Sequence, residues 1–155
     1  MSRTLLIDDQ RSWEHVAAKL ESEPLLALDT ESNSLHAYRE RVCLIQIATA
    51  GESFLLDPLA VTDLSALGRL LANPSITKVA HGSDYDARCL HRDYGFTVSS
   101  LFDTEMAARF LGSSRTNLAS VLEGFLGVEI PKRRSLQTSD WGRRPLSPLA
   151  MDYAT

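Results

Sequence analysis

The sequence contains few cysteines, few aromatic residues and no long apolar run. Its two cysteines, Cys43 and Cys89, are too few for a disulfide framework, so we expect free thiols in a reducing compartment. No stretch approaches the roughly 20 apolar residues that a membrane-spanning helix needs. Residues 1–9 become charged too early for a signal peptide. We therefore expect a cytoplasmic protein without membrane contact.

Positive charge is scarce over most of the chain. The formal net charge is −4, which argues against a protein that coats nucleic acid by charge alone. Basic residues concentrate between positions 132 and 144, where Asp140 alone opposes them. An acidic protein with one basic segment is consistent with a metal site beside a surface that contacts phosphate. A basic loop that is only solvated explains the charge distribution equally well. These basic residues are Lys132, Arg133, Arg134, Arg143 and Arg144.

The pattern of apolar residues predicts a single α/β domain over residues 1–155. The chain is 44% hydrophobic and 23% charged, as globular domains are. Three early strands joined by short turns, followed by alternating helix and strand, predict a mixed sheet with helices on both faces. We expect a three-stranded antiparallel meander extended by parallel strands. The predicted strands are 4–7, 25–31, 42–48, 53–57 and 76–80, and the predicted helices are about 10–22, 62–72, 84–93, 104–111, 117–126 and from 147 onward.

Two carboxylates, Asp29 and Glu31, end the apolar run Pro24–Leu28. Side chains at positions i and i+2 of a strand share a face, so the two acids point the same way. Like charges at the end of a hydrophobic strand repel each other and resist loss of solvent. A divalent metal with oxygen ligands would compensate them. A solvated turn after the strand explains the tripeptide equally well.

The same tripeptide recurs as Asp103-Thr104-Glu105. There it opens a helix, so Asp103 is expected to be the N-cap and Glu105 to lie in the first turn, where the helix dipole favours negative charge. We interpret this second copy as a helix start.

A third candidate carboxylate follows the strand at 76–80. The sequence passes through His81-Gly82-Ser83 into a helix whose first turns carry Asp84 and Asp86. Open α/β sheets place ligands at such strand-to-helix junctions. Either acid could also be only a favourable charge at a helix start. We expect His81 to cap a turn rather than to bind metal.

The stretch Leu136-Gln137-Thr138-Ser139-Asp140-Trp141-Gly142-Arg143-Arg144-Pro145-Leu146, followed by Met151-Asp152-Tyr153-Ala154, closely resembles the ribonuclease D family. That family includes eukaryotic exosome-associated exonucleases and is more distantly similar to the proofreading domains of DNA polymerases. All belong to the DEDD superfamily of 3′–5′ exonucleases. The resemblance covers the chain from about residue 5 onward and implies a ribonuclease H-like fold.

The resemblance assigns the catalytic acids motif by motif. Asp29 and Glu31 match the first motif, and Asp86 matches the second, with Asp84 at a variable position. Tyr153 matches the tyrosine of the third motif, whose aspartate falls two positions beyond Thr155. We therefore expect a domain truncated before its last catalytic aspartate and a chain that is impaired as given.

The resemblance also implies two-metal phosphodiester hydrolysis. Two divalent ions about 3.5–4 Å apart can clamp the attacking and leaving oxygens. Asp29 would bridge both ions, Glu31 would serve the ion that activates water, and Asp86 the second ion. Tyr153 would orient the attacking water. Two magnesium ions, replaceable by manganese, fit this all-oxygen ligation.

The resemblance further implies contacts to a single-stranded 3′ end. In the family the leucine after the first motif wedges at the terminal bases, and Leu35 matches it. Trp141 is expected to be a packing anchor. The implied function is a 3′–5′ exoribonuclease that processes structured RNA such as tRNA precursors; the alternatives are a DNA 3′–5′ exonuclease and an inactive nucleic-acid-binding domain. The expected substrate contacts are Thr30, Ser34, Leu35, His36, Arg143 and Arg144, with phosphate contacts also from Lys132, Arg133 and Arg134.

Overall fold

A computed structural model describes residues 3–130 and 138–155. Lys132, Arg133 and Arg134 lie outside the described residues, so their phosphate contacts stay predictions. The strands are β1 (Arg3–Ile7), β2 (Leu25–Ser32), β3 (Val42–Ala48), β4 (Glu52–Leu56), β5 (Thr77–Ala80) and β6 (Leu101–Asp103). The helices are α1 (Gln10–Leu20), α2 (Ser65–Ala72), α3 (Asp84–Tyr94), α4 (Thr104–Phe110), α5 (Leu118–Leu126) and α6 (Pro148–Tyr153).

One six-stranded sheet, in the order β1-β4-β3-β2-β5-β6, organises the domain. β2, β3 and β4 form an antiparallel meander, and β1, β5 and β6 each add in parallel. This confirms the predicted mixed sheet. The short strand β6 was not predicted, because its three residues are partly or well exposed and carry no clear apolar pattern.

β2 is positioned so that its carboxyl end is open. β3 pairs with it from Ala27 to Ser32, whereas β5 pairs only with Leu25–Ala27. Beyond Leu28, therefore, β2 has a strand neighbour on one side and the β5–α3 junction on the other. Asp29 and Glu31 lie in this open part of the strand.

Apolar side chains pack on both faces of the sheet. Along β4, Phe54 and Leu56 belong to the larger core, and Leu55 belongs to the smaller one. Because successive strand residues point to opposite faces, the two cores lie on opposite sides. The larger core takes in the buried faces of α1, α2 and α3, and the smaller one contains Trp141 together with α6 residues. Helices on both faces were predicted.

The helix ends follow the local sequence signals. Asp9 and Asn117 accept hydrogen bonds from backbone N–H groups of α1 and α5, and Ser147 caps α6, which has proline in its first turn. Gly95 ends α3 with φ +71°, a conformation that glycine adopts without steric cost. No helix in the described ranges is long and apolar enough to cross a membrane.

Candidate active site

The structure brings Asp29, Glu31 and Asp86 into one cluster. Asp29 and Glu31 lie opposite Gln46 and Leu44 of β3. Asp86 comes from the first turns of α3 and is buried. The Thr30 hydroxyl donates a 2.5 Å hydrogen bond to Asp86 Oδ1, which ties the helix to the end of β2.

Loss of solvent raises the pKa of all three carboxyl groups, and the charge of a neighbouring acid adds to each shift. Asp29 keeps an exposed surface, but partial desolvation, followed by the charge of Asp86, raises its pKa to about 6. Burial, followed by the charges of Asp29 and Asp86, raises the pKa of Glu31 to about 8. Burial also raises the pKa of Asp86. Ionisation of all three acids is therefore unfavourable unless a cation binds beside them.

The chemistry of this donor set fits a hard divalent cation, since carboxylate oxygens are the ligands that magnesium and calcium prefer. Within residues 3–130 and 138–155, however, no three His, Cys, Asp or Glu side chains are arranged to hold a metal ion as they stand. Thr30 engages two of the acids: its N–H donates to Asp29 Oδ1 at 2.9 Å, and its hydroxyl donates to Asp86. The Thr30 hydroxyl, predicted to contact substrate, is thus engaged within the cluster.

α6 ends beside the carboxyl end of β2. A cavity of about 130 Å³ is bordered by Asp29 and Gln46 and by Ala154 and Thr155. Tyr153 stacks at a tilt on Trp141, with ring centroids 6.0 Å apart. Its role in orienting the attacking water stays a prediction.

The loop after β2 is held at its base by Asn33. The Asn33 N–H donates to Arg41 O at 3.3 Å, and Asn33 Oδ1 accepts from Arg41 N at 2.9 Å. Ser34 is exposed at the surface, and Leu35 is 70% exposed. The hydrogen bonds between Asn33 and Arg41 therefore hold the two ends of the loop together, and Leu35, which is predicted to wedge at the terminal bases, is exposed on it.

Two further contacts tie this loop to its surroundings. Tyr85, the neighbour of Asp86, donates its hydroxyl to Glu40 Oε2 at 2.8 Å. A ring nitrogen of His36, Nε2, lies 2.8 Å from Thr138 O. His36 and Arg143 border a shared cavity of about 620 Å³. The structure therefore brings together these two predicted substrate contacts.

Arg144, a predicted substrate contact, is engaged in hydrogen bonds within the protein. Its guanidinium donates from Nε and Nη2 to the two carboxylate oxygens of Asp57, at 2.5 and 2.7 Å. Its other N–H groups donate to the carbonyls of Trp141, Arg143 and Cys43, at 2.8, 2.8 and 2.6 Å. An arginine has five N–H donors, and all are used here. Arg144 is therefore held by contacts within the protein, and its predicted contact with phosphate stays a prediction.

Asp57 was missed in the sequence although its signal resembles that of Asp29. It is an acid that directly follows an apolar strand, and it is 3% exposed. Its partner, Arg144, lies 87 residues away. Trp141 was predicted to be a packing anchor and is 1% exposed in the smaller core. His81 Nδ1 lies 2.9 Å from Thr104 Oγ1, as expected for a residue that stabilises a turn.

The fold and the site define a class of protein: a ribonuclease H-like nuclease domain with an acidic cluster at the end of its central meander. A family model described as 3′-5′ exonuclease matches residues 5–155. The chain belongs to this exonuclease family, within the DEDD superfamily. The predicted resemblance to ribonuclease D is thereby confirmed.

Relatives agree with this membership. The chain is 38% identical over 150 residues to the exosome complex component 10 homolog of Caenorhabditis elegans, covering 96% of this chain and 17% of that protein. It is 31% identical to Escherichia coli RNase D, an exoribonuclease involved in structured RNA processing, with a TM-score of 0.89 over 99% of this chain and 40% of that chain.

A second similar structure contains a metal. It is Brucella melitensis NrnC with bound Mg²⁺, 25% identical, with a TM-score of 0.79 over 99% of this chain and 73% of that chain. The chain thus spans less than a fifth of the curated C. elegans relative and less than half of RNase D.

Proposed function

We propose that this chain is the nuclease domain of a 3′–5′ exoribonuclease that hydrolyses phosphodiesters from a single-stranded 3′ end. The observation that carries the proposal is the cluster of Asp29, Glu31 and Asp86, in which loss of solvent raises each pKa. Acids whose pKa values are shifted by loss of solvent and by charged neighbours are candidates for a functional site. The similarity to an exoribonuclease supports RNA as the substrate.

The three acids would hold divalent cations, two of magnesium in the proposed state and manganese as a substitute. When bound, such ions stabilise the attacking and leaving oxygens of the phosphoryl transfer. Thr30 holds Asp86 in place through its hydroxyl, and we propose that Tyr153 orients the attacking water. The products would be nucleoside 5′-monophosphates.

The substrate would enter along the loop that follows β2. Leu35 is well exposed there and would pack against the terminal base, a contact that tolerates any base because every base has an apolar face. Arg143, exposed at the cavity that it shares with His36, would contact phosphate. We further propose that the substrates are structured RNAs such as tRNA precursors. We also propose that the protein acts in the cytoplasm, because its two cysteines are buried free thiols, which a reducing compartment preserves.

Two alternatives are kept. The carboxylates do not read the sugar, so a DNA 3′–5′ exonuclease is compatible with the same cluster. The second alternative is a domain that binds nucleic acid without cleaving it. One observation favours it: among the described residues, no three acidic, histidine or cysteine side chains are arranged to hold a metal ion.

The test is hydrolysis of 5′-labelled single-stranded RNA by the full-length protein with magnesium. We expect a ladder of products shortened from the 3′ end, abolished by chelator and by Asp29→Asn. Asp84→Asn is the matched control, because Asp84 lies on the same helix start but pairs with Arg88 at the surface. Equal hydrolysis by the wild type and Asp29→Asn would contradict the proposal, and preference for a DNA strand would favour the first alternative.

A further inference from the structure

Asp103, at the end of β6, makes more contacts than an N-cap needs. An N-cap side chain ordinarily accepts a hydrogen bond from the first turn of its own helix, and Asp103 Oδ1 does so from Glu105 N and Met106 N at 2.9 and 3.2 Å. The same oxygen also accepts from Gly82 N at 3.1 Å. Oδ2 accepts from the N–H and the hydroxyl of Ser83 at 2.8 and 2.7 Å.

The other two residues of this tripeptide contact the same turn. The Thr104 hydroxyl donates to Ala80 O at 3.1 Å, and it also lies 2.9 Å from His81 Nδ1. Gly82 has φ +66°, and a Cβ on it would lie 2.8 Å from Glu105 Oε2. Asp103, Thr104 and Glu105 therefore close over residues 80–83 from one side.

Residues 80–83 determine where α3 begins. Ser83 is 5% exposed, and its carbonyl accepts the helical hydrogen bond from Ala87 N at 3.0 Å. The first N–H groups of a helix have no hydrogen-bond acceptor within the helix. The carboxylate of Asp103 is the acceptor for the N–H groups of Gly82 and Ser83, which lead into α3. Asp86 follows Ser83 by less than one helical turn. The direction of α3 at this point therefore sets the position of the Asp86 carboxylate against Thr30.

We propose that Asp103 is a positioning residue for the exonuclease reaction, which fixes the turn at residues 80–83 so that α3 presents Asp86 to Asp29 and Glu31. The inference rests on the proposed function and assigns a role to a residue that touches neither substrate nor reacting atoms. It also gives the second Asp-Thr-Glu tripeptide a role beyond that of a helix start. Residues that orient metal ligands typically change metal affinity or activity about 10–100-fold when replaced.

The test uses Asp103→Asn, because asparagine is as good an N-cap as aspartate. The single carbonyl oxygen of the asparagine can accept hydrogen bonds either from the N–H groups of α4 or from those of the turn at residues 80–83. Its amide NH₂ group would then face N–H donors, with which it cannot form hydrogen bonds. The control is Asp9→Ala, which removes the hydrogen bond that caps α1. Asp9 follows β1, which lies at the edge of the sheet opposite β6. For each variant we would measure thermal unfolding, kcat on single-stranded RNA, and the magnesium concentration that gives half-maximal rate.

Asp103→Asn is expected to raise the half-maximal magnesium concentration about tenfold or more, whereas Asp9→Ala should keep it within about twofold. Both variants are expected to unfold at lower temperature. A wild-type magnesium dependence and kcat in Asp103→Asn would overturn the inference. An equal change in Asp9→Ala would also overturn it, since that change would reflect general destabilisation.

The positioning role is separable from the proposed function by a measurement without RNA. The rise in unfolding temperature on adding magnesium reports metal binding alone. If the wild type binds magnesium but cleaves nothing, the proposed function fails, and a weaker magnesium effect in Asp103→Asn still supports positioning. If the wild type neither binds magnesium nor cleaves RNA, both proposals fail.

Discussion

The pairing of Arg144 with Asp57 predicts an unequal loss of stability when either residue is replaced. The side chain of Asp57 is 5% exposed and that of Arg144 is 27% exposed. Arg144→Met leaves a buried carboxylate whose remaining donor is Leu59 N, at 2.9 Å. Removing one partner of a buried pair costs about 3–5 kcal/mol. We expect Arg144→Met to fall in this range.

Asp57→Asn should cost less. The amide oxygen can keep one hydrogen bond, and Arg144 retains its carbonyl acceptors at Trp141, Arg143 and Cys43 as well as access to solvent. Loss of a hydrogen bond to a charged group is worth about 1.5–3 kcal/mol. Because both variants remove the same contact, the double variant should be less destabilised than the sum of the two single ones.

The assay is urea unfolding followed by tryptophan fluorescence, since Trp141 lies beside this pair. With a urea dependence of about 1–3 kcal/mol/M, Arg144→Met should lower the midpoint by about 2 M. Arg143→Met is the matched control, because Asp57 accepts its hydrogen bonds from Arg144 and not from the neighbouring arginine. We expect this control to change stability by at most about 0.5 kcal/mol. Equal stability of the two variants, with weakened RNA binding by Arg144→Met, would refute the structural role of Arg144.

Three further predictions concern the acidic cluster, the loop and the core. Because the pKa values of Asp29 and Glu31 are raised, these two groups bind protons more tightly in the folded, metal-free protein than in the unfolded chain. Their contribution to stability therefore falls as pH rises from about 4 to about 8. Glu31→Gln should stabilise the metal-free protein at pH 8 by on the order of 1–2 kcal/mol, once solvent screening is allowed for, and should have little effect near pH 4. Urea unfolding at both pH values measures this difference, and a destabilised variant at pH 8 would contradict the prediction. Leu35→Ala should raise the KM for single-stranded RNA severalfold at unchanged unfolding temperature, because losing the apolar packing of the leucine against the terminal base costs about 1 kcal/mol. Leu149→Ala, which changes another exposed leucine, should alter neither quantity. Gly68→Ala should destabilise the protein by about 1 kcal/mol or more, because a Cβ on Gly68 would lie 2.7 Å from the Phe96 ring. This loss should outweigh the better helix propensity of alanine. A stabilised variant would show that the ring can move aside.

The first five strands and the Asp29–Glu31 pair were accessible from the sequence because their signals are local, whereas Asp86 was chosen over Asp84 only by the resemblance to a known family. The meander follows from apolar runs separated by short turns, and Asp29 and Glu31 are visible as acids at the end of such a run. α6 was predicted from Ser147 and the proline that follows it, and both occupy the expected capping positions.

The remaining features depend on contacts between distant residues. Arg144 reads as a free basic residue until the fold places Asp57 beside it. Asp103 reads as an N-cap, which it is, but its bonds to Gly82 and Ser83 require β5 and β6 to be parallel neighbours. A three-residue strand such as β6 has too little pattern to predict that pairing.

The most direct test of the central claim is to measure metal binding by the three acids themselves. Titration of the full-length protein with Mn²⁺, followed by electron paramagnetic resonance, counts bound ions without any substrate. The account predicts binding by the wild type and by Asp84→Asn, and its loss or marked weakening in Asp29→Asn, Glu31→Gln and Asp86→Asn. Unchanged Mn²⁺ binding in all three of these variants would contradict it.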